Sequence, residues 1–131
     1  MENLTLYPTE ILILLFILIT FLQSGLDKAT DWNGNNEWLK GHFSKTFLSG
    51  MVPFMVAVIL ILEVATGLLA AVSIINILVS GNSRLALYTC ILAAIVLLML
   101  LFGQRVAKDY AGAFTITGYF MVVIFGVFLL S

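Results

Sequence analysis

Hydrophobic positions fall into four long runs separated by short polar segments. The first run extends from Pro8 to about Leu26 and the second from about Met51 to Val79. The third covers about Leu85 to Phe102 and the fourth about Gly112 to Leu130. Each is long enough, at about 18 residues or more, to read as a membrane-crossing helix. Pro8 and Pro53 stand where the first and second runs begin, a position that suits the first helical turn. The second run exceeds the ~20 residues a ~30 Å hydrocarbon core requires, so tilt or protrusion is expected there. Ser80-Gly81-Asn82-Ser83 reads as a tight turn. The pattern predicts an all-α integral membrane four-helix bundle, in one domain spanning residues 1–131. The first run is expected to be a retained span rather than a cleaved leader, because no basic segment precedes it and Lys28 follows it.

The one long connection, Asp27–Gly50, opens with the turn-rich Asp31-Trp32-Asn33-Gly34-Asn35-Asn36. Leu39, Phe43 and Phe47 then recur every four residues within Glu37–Leu48, while Lys40, Ser44 and Lys45 take other faces. This predicts a short interfacial amphipathic helix between spans 1 and 2, with Trp32 and Trp38 in a headgroup aromatic belt. Such a segment is either a surface loop lying on lipid or a lid over the bundle. Gly103–Ala111 is a second polar connection. Lys28, Lys40, Lys45, Arg105 and Lys108 gather on one face and Arg84 alone on the other. The positive-inside rule then places both polar connections in the cytoplasm and both termini outside.

Within the second run Glu63 is the only charge. A carboxylate at mid-membrane costs at least ~2.5–3.5 kcal/mol on insertion scales, so it calls for a partner, a proton or a wet cavity. Other spans offer matching polar stripes. Thr20, Gln23/Ser24 and Asp27/Lys28 recur on the first, and Thr66/Gly67, Ala70 and Ser73 follow Glu63 on the second. Thr115, Gly118/Tyr119, Val122 and Gly126 do so on the fourth. At ~1.5 Å per residue Glu63 lies roughly 15 Å, and Thr20 roughly 12 Å, below the basic face. The stripes therefore predict one polar cavity opening to that face, with Lys28, Gln104 and Arg105 near its mouth. Candidate ligand-binding or proton-handling residues are Glu63, Lys28, Gln23, Thr20, Thr66, Arg105 and Tyr119. The competing reading of Glu63 is a buried carboxyl that fixes helix register, and that of Lys28 is a lysine snorkelling from a helix end. His42 is expected at the surface and Cys90 in packing contacts.

Composition narrows the chemistry. The chain is 62% hydrophobic and 10% charged, more apolar surface than a soluble domain of 131 residues can bury. A net charge of −1 leaves no basic footprint for nucleic acid. One cysteine and one histidine exclude an internal disulfide, bis-histidine haem ligation and an all-protein Cys/His zinc site within the chain. No Ser/His/Asp set, phosphate loop or carboxylate pair at catalytic spacing stands out, so no catalytic residue is assigned. No metal is expected, and redox chemistry would come from a ligand or a partner subunit.

Three motifs in order carry a resemblance. They are Gly25-Leu26-Asp27-Lys28 ending the first span, Glu63-Val64-Ala65-Thr66-Gly67-Leu68-Leu69 in the second, and Arg84-Leu85-Ala86-Leu87 opening the third. With the chain length, span count and long first connection, the sequence resembles the DoxX-like family of small four-helix bacterial membrane proteins. Gln104–Gly112 departs from any shared pattern, so no role is carried onto it. Members of that family are linked to membrane redox assemblies, including a thiosulfate:quinone oxidoreductase subunit and a subunit associated with a quinol oxidase; others are accessory proteins. The resemblance implies a subunit or accessory protein of a redox, quinone-linked or envelope complex in the bacterial inner membrane. It also implies Lys28 and Glu63 as a functional pair and a quinone or similar amphiphile as ligand. The expected partners are the lipid bilayer and either membrane-protein subunits or further copies of this chain. A structural or assembly subunit without ligand chemistry, or a small oligomeric transporter, are the alternatives.

Overall fold

The computed structural model describes residues 2–131. It is all-helical there: α1 (Glu2–Leu6), α2 (Pro8–Thr30), α3 (Trp32–His42), a 3₁₀ turn (Ser49–Met51), α4 (Val52–Ser80), α5 (Arg84–Val106) and α6 (Tyr110–Leu130). Helices α2, α4, α5 and α6 are each long and apolar enough to cross a membrane. Prolines sit in the first turn of α2 and α4, where the missing N–H would have had no helical acceptor.

Both α2 and α5 outrun the expected apolar stretches by four residues, ending at Thr30 and Val106 instead of Leu26 and Phe102. Polar residues continue a helix readily once its ladder is established, so the hydropathy edge and the helix edge differ. The polar connection after α5 consequently shrinks to residues 107–109. There Lys108 adopts φ 59° and Asp109 N donates to Gln104 O at 2.9 Å, closing the helix end in the manner of a left-handed cap. Gly81, at φ 72°, does the same for α4, with its N–H on Ile77 O at 2.9 Å. Helix α1, which the sequence pattern did not announce, docks at this end, where Asn3 Nδ2 donates to Leu78 O at 3.2 Å.

The predicted amphipathic helix over Glu37–Leu48 is displaced toward the N-terminus, and the supposed turn at Asp31–Asn36 is helical. Asp31 begins a new helix in place of a turn: Asn35 N donates to Asp31 O at 2.9 Å, and Asn36 Nδ2 donates to Trp32 O at 2.9 Å. The Asp31 carboxylate folds over Gly34, where a Cβ would lie 2.6 Å from both its oxygens. A negative charge at that helix end is favourable against the aligned peptide dipoles. Because α3 stops at His42, the four-residue register breaks. Phe43 is buried with Leu48, Val52 and Val56, whereas Phe47 is 74% exposed.

In the bundle α2 packs chiefly on α4, α5 on α6, and α4 on α5. The buried stripe of α4 is Glu63, Thr66, Gly67, Ala70, Ser73 and Ile77, at three- and four-residue spacing. Buried hydroxyls close on backbone carbonyls or on each other: Thr66 Oγ1 donates to Leu62 O at 2.7 Å, and Ser73 Oγ meets Thr89 Oγ1 at 2.9 Å across α4 and α5. The principal core clusters Leu14, Ile17, Phe21, Ile77, Val96 and Leu97 with their neighbours. Outside it the surface stays apolar, with Phe54, Ile61, Val79, Phe114 and Phe128 each at least 66% exposed.

Candidate functional site

Glycines set the spacing on which the site depends. A Cβ at Gly67 would stand 3.1 Å from Leu22 Cβ and 3.2 Å from Leu22 N, and one at Gly25 would stand 2.7 Å from Val64 Cγ2. Helices α2 and α4 therefore approach almost backbone to backbone over the turn that follows Glu63. That approach brings Lys28, one turn beyond Gly25, onto Glu63, one turn before Gly67.

Lys28 Nζ lies 2.8 Å from Glu63 Oε1 and donates to Ser24 Oγ at 2.8 Å. The Glu63 side chain is 2% exposed and that of Lys28 16%. Nζ reaches Oε1 off the axis of a good hydrogen bond, so Oε1 has a counter-charge but no well-directed donor. The contact is Coulombic first, and its strength comes from the dry surroundings.

Glu63 also lines a cavity of about 300 Å³ between α2, α5 and α6. Thr20, Gln23, Ser24, Asp27 and Tyr119 contribute its polar wall, and Phe21, Leu97, Leu100 and Ile116 part of its apolar one. The structure thus gathers Glu63, Lys28, Thr20, Gln23 and Tyr119 in one place. Ser24 and Asp27, marked by their stripe on α2, join them. Tyr119 is held edge-on by Phe16, with ring centroids 5.8 Å apart.

Two other expected residues lie elsewhere. Thr66 is buried with its hydroxyl on its own helix and does not line the cavity around Glu63. Arg105 does not turn inward toward Glu63. It is exposed on the last turn of α5, its guanidinium 5.1 Å from the centre of the Tyr110 ring. The stripe on α6 also divides, since Tyr119 faces the cavity while Thr115, Gly118 and Val122 are exposed. A 3.6-residue repeat assigns a face, but only the neighbouring helices decide which face turns inward.

His42 corrects a further expectation. It is half-buried, stacked on Trp38 at 4.7 Å, with Nε2 3.4 Å from Gln104 Oε1 and 3.6 Å from Asp109 Oδ2. Asp109 itself accepts from Gly112 N at 2.9 Å and so caps α6. Gly112 is pressed by both partners, since a Cβ there would stand 2.6 Å from Asp109 Oδ2 and 2.9 Å from Gln104 Nε2. This cluster ties the end of α3 to the α5–α6 turn. Its one sequence signal is the four-residue spacing of Trp38 and His42, which carries no information about Gln104 or Asp109.

A second cavity, of about 270 Å³, opens on the other side of Lys28. Asn35, Trp38, His42 and Gln104 stand at its polar end and Val52, Val56 and Leu100 along its apolar wall. Gln104 therefore belongs to this cavity and not to the one around Glu63. No family model, curated protein or solved structure matches the chain.

Proposed function

We propose that the chain is a multi-pass protein of a bacterial inner membrane, a DoxX-like subunit or accessory protein of a redox, quinone-linked or envelope complex. The observation that carries this reading is the Lys28–Glu63 pair between two helices, with Glu63 buried on the wall of a cavity of about 300 Å³. The apolar outer surface and four apolar helices of sufficient length support membrane insertion. The meeting of Gly25, Lys28, Glu63 and Gly67 at one helix crossing supports the resemblance, because two of the three motifs that suggested it come together there.

In this reading the cavity around Glu63 holds the head of a quinone or similar amphiphile. Glu63 is the group that exchanges a proton with the ligand or with cavity water. Lys28 holds the carboxylate in place, and Thr20, Gln23, Ser24 and Tyr119 offer hydrogen bonds to the head. The chain supplies binding and proton handling; electrons move between the ligand and a partner subunit. The test is purification from native membranes with identification of co-purifying subunits and small molecules, for wild type, Glu63→Gln and Glu63→Ala. Loss of the bound amphiphile and of complex activity, with membrane insertion intact, supports the reading. Full activity and ligand content in both variants would refute it.

A second reading treats the pair as a structural staple in an assembly subunit. The near-backbone contact at Gly67 and Leu22 favours it, because an ion pair beside such a crossing fixes helix register without any ligand. In that case Glu63→Gln lowers stability, and the exposed apolar face of Val122–Leu130 governs partner binding.

A further inference from the structure

A proton that reaches or leaves Glu63 needs a route, because the residue is 1% exposed. The two cavities beside its ion pair differ in charge. Glu63 lines the cavity between α2, α5 and α6 and not the one lined by α3. Two carboxylates, Asp27 and Glu63, line the first, and no lysine, arginine or histidine does. Lys28 and His42 line the second, and no carboxylate does. From the α3 side, an incoming proton therefore meets the Lys28 ammonium before it meets Glu63, and like charges repel. From the other side, acidic walls draw it in.

The polar stripe of α2 spans this acidic side. A Cβ at Gly25 would stand 3.7 Å from Glu63 Cβ, so Glu63 lies level with Gly25. Thr20, Gln23, Ser24 and Asp27 run past that level over roughly 10 Å of helix. Asp27, on the last turn of α2, is exposed and makes no ion pair among the described residues. One carboxylate is thus wet and the other dry, on the walls of one cavity. A polar space of about 300 Å³ has room for several waters between them, with side-chain hydroxyls and the Gln23 amide to bind them. The remaining walls add little charge: Tyr119 on α6 brings a hydroxyl, and α5 presents only Leu97 and Leu100. When Glu63 carries a proton, the charges of Lys28 and Asp27 cancel, so the crossing keeps no unbalanced charge.

We propose that Asp27 is the outer carboxylate of a proton path that reaches Glu63 through this cavity, on the side away from His42 and α3. A proton from water binds the Asp27 carboxylate, passes to cavity water and then to Glu63, and leaves Asp27 ionised again. Release follows the same path in reverse. The inference rests on the reading above that Glu63 exchanges a proton, and adds the residue through which the exchange runs.

The full chain in phosphatidylcholine nanodiscs receives protons from a flash-released caged acid, and the infrared band of protonated carboxyl groups is followed in time. Glu63→Gln, made in each background, identifies the Glu63 component by its loss. Asp27→Asn should slow that component at least ~10-fold, because the proton loses its collecting group. Asp27→Glu should restore the rate, and so should added acetate, a diffusible carboxylate that a merely structural role of Asp27 would not answer to. His42→Gln, on the wall of the other cavity, should leave the rate at the wild-type value. Far-UV circular dichroism confirms that each variant is folded. A wild-type rate in Asp27→Asn would overturn the inference. So would a slow rate that Asp27→Glu and acetate fail to restore, or equal slowing in His42→Gln. Each of those results leaves Glu63 standing as a proton-exchanging group. Absence of any Glu63 component between about pH 4 and 9 would contradict that reading together with this one.

Discussion

Removing the charge from Lys28 should destabilise the bundle more than removing it from Glu63. The two side chains are 2.8 Å apart but unequally placed, with Glu63 2% and Lys28 16% exposed. In Lys28→Met the carboxylate is left in a dry site with no cation, a situation that costs ~3–5 kcal/mol in buried pairs. In Glu63→Gln the ammonium remains on the last turn of α2, still donating to Ser24 and able to extend toward water, so the loss should be only ~1–2 kcal/mol. The double variant Lys28→Met/Glu63→Gln removes both charges and should cost ~1–2 kcal/mol relative to wild type, giving a coupling energy of ~2–6 kcal/mol. Unfolding of the four proteins by SDS in mixed micelles, followed by circular dichroism, measures the cycle. A Lys28→Met cost below ~1 kcal/mol, or a Glu63→Gln cost exceeding it, would refute the claim that Glu63 is the dry member of the pair.

Three further outcomes follow from the geometry. Gly67→Leu should separate α2 from α4, because its Cβ alone would stand 3.1–3.3 Å from Leu22 backbone and Cβ atoms; a loss of ~2–3 kcal/mol in the same SDS titration is expected. Lys108→Gly should stabilise the protein by up to ~1 kcal/mol in thermal or SDS unfolding, since φ 59° strains a lysine and suits glycine. Asp109→Ala should cost ~1 kcal/mol by uncapping α6, and should also free His42, seen as a changed imidazole resonance in NMR spectra.

The four long helices and their antiparallel order were readable because apolar runs of that length have few other uses. Glu63 was readable for a related reason: a charge deep in such a run needs an answer. Depth alone left Lys28 and Arg105 together near the cavity mouth, and it was the resemblance that singled out Lys28 as the partner. Helix ends were harder. Polar Asp27, Lys28 and Thr30 continue α2, and Asn33, Gly34 and Asn35 sit inside α3, because intrahelical bonds and the Asp31 carboxylate override weak local preference. Arg105 shows the other limit. Its place on the sequence put it near the cavity mouth, but the Tyr110 ring draws it along the surface. The His42–Gln104–Asp109 cluster joins residues up to 67 positions apart in numbering, and no periodicity within one helix reports such a meeting.

The most direct test of the central claim fills the cavity while sparing the ion pair. Thr20 lines the cavity without touching Lys28 or Glu63 charges, so Thr20→Phe occupies ligand space and leaves the staple intact. Small molecules extracted from wild-type and Thr20→Phe protein, both purified from native membranes, are quantified by mass spectrometry. If the cavity around Glu63 is a ligand site, an amphiphile present in near-stoichiometric amount with wild type is lost from Thr20→Phe, while resistance to SDS changes little. Equal small-molecule content in the two proteins, or none in either, would contradict the account and leave the Lys28–Glu63 pair as a structural link alone.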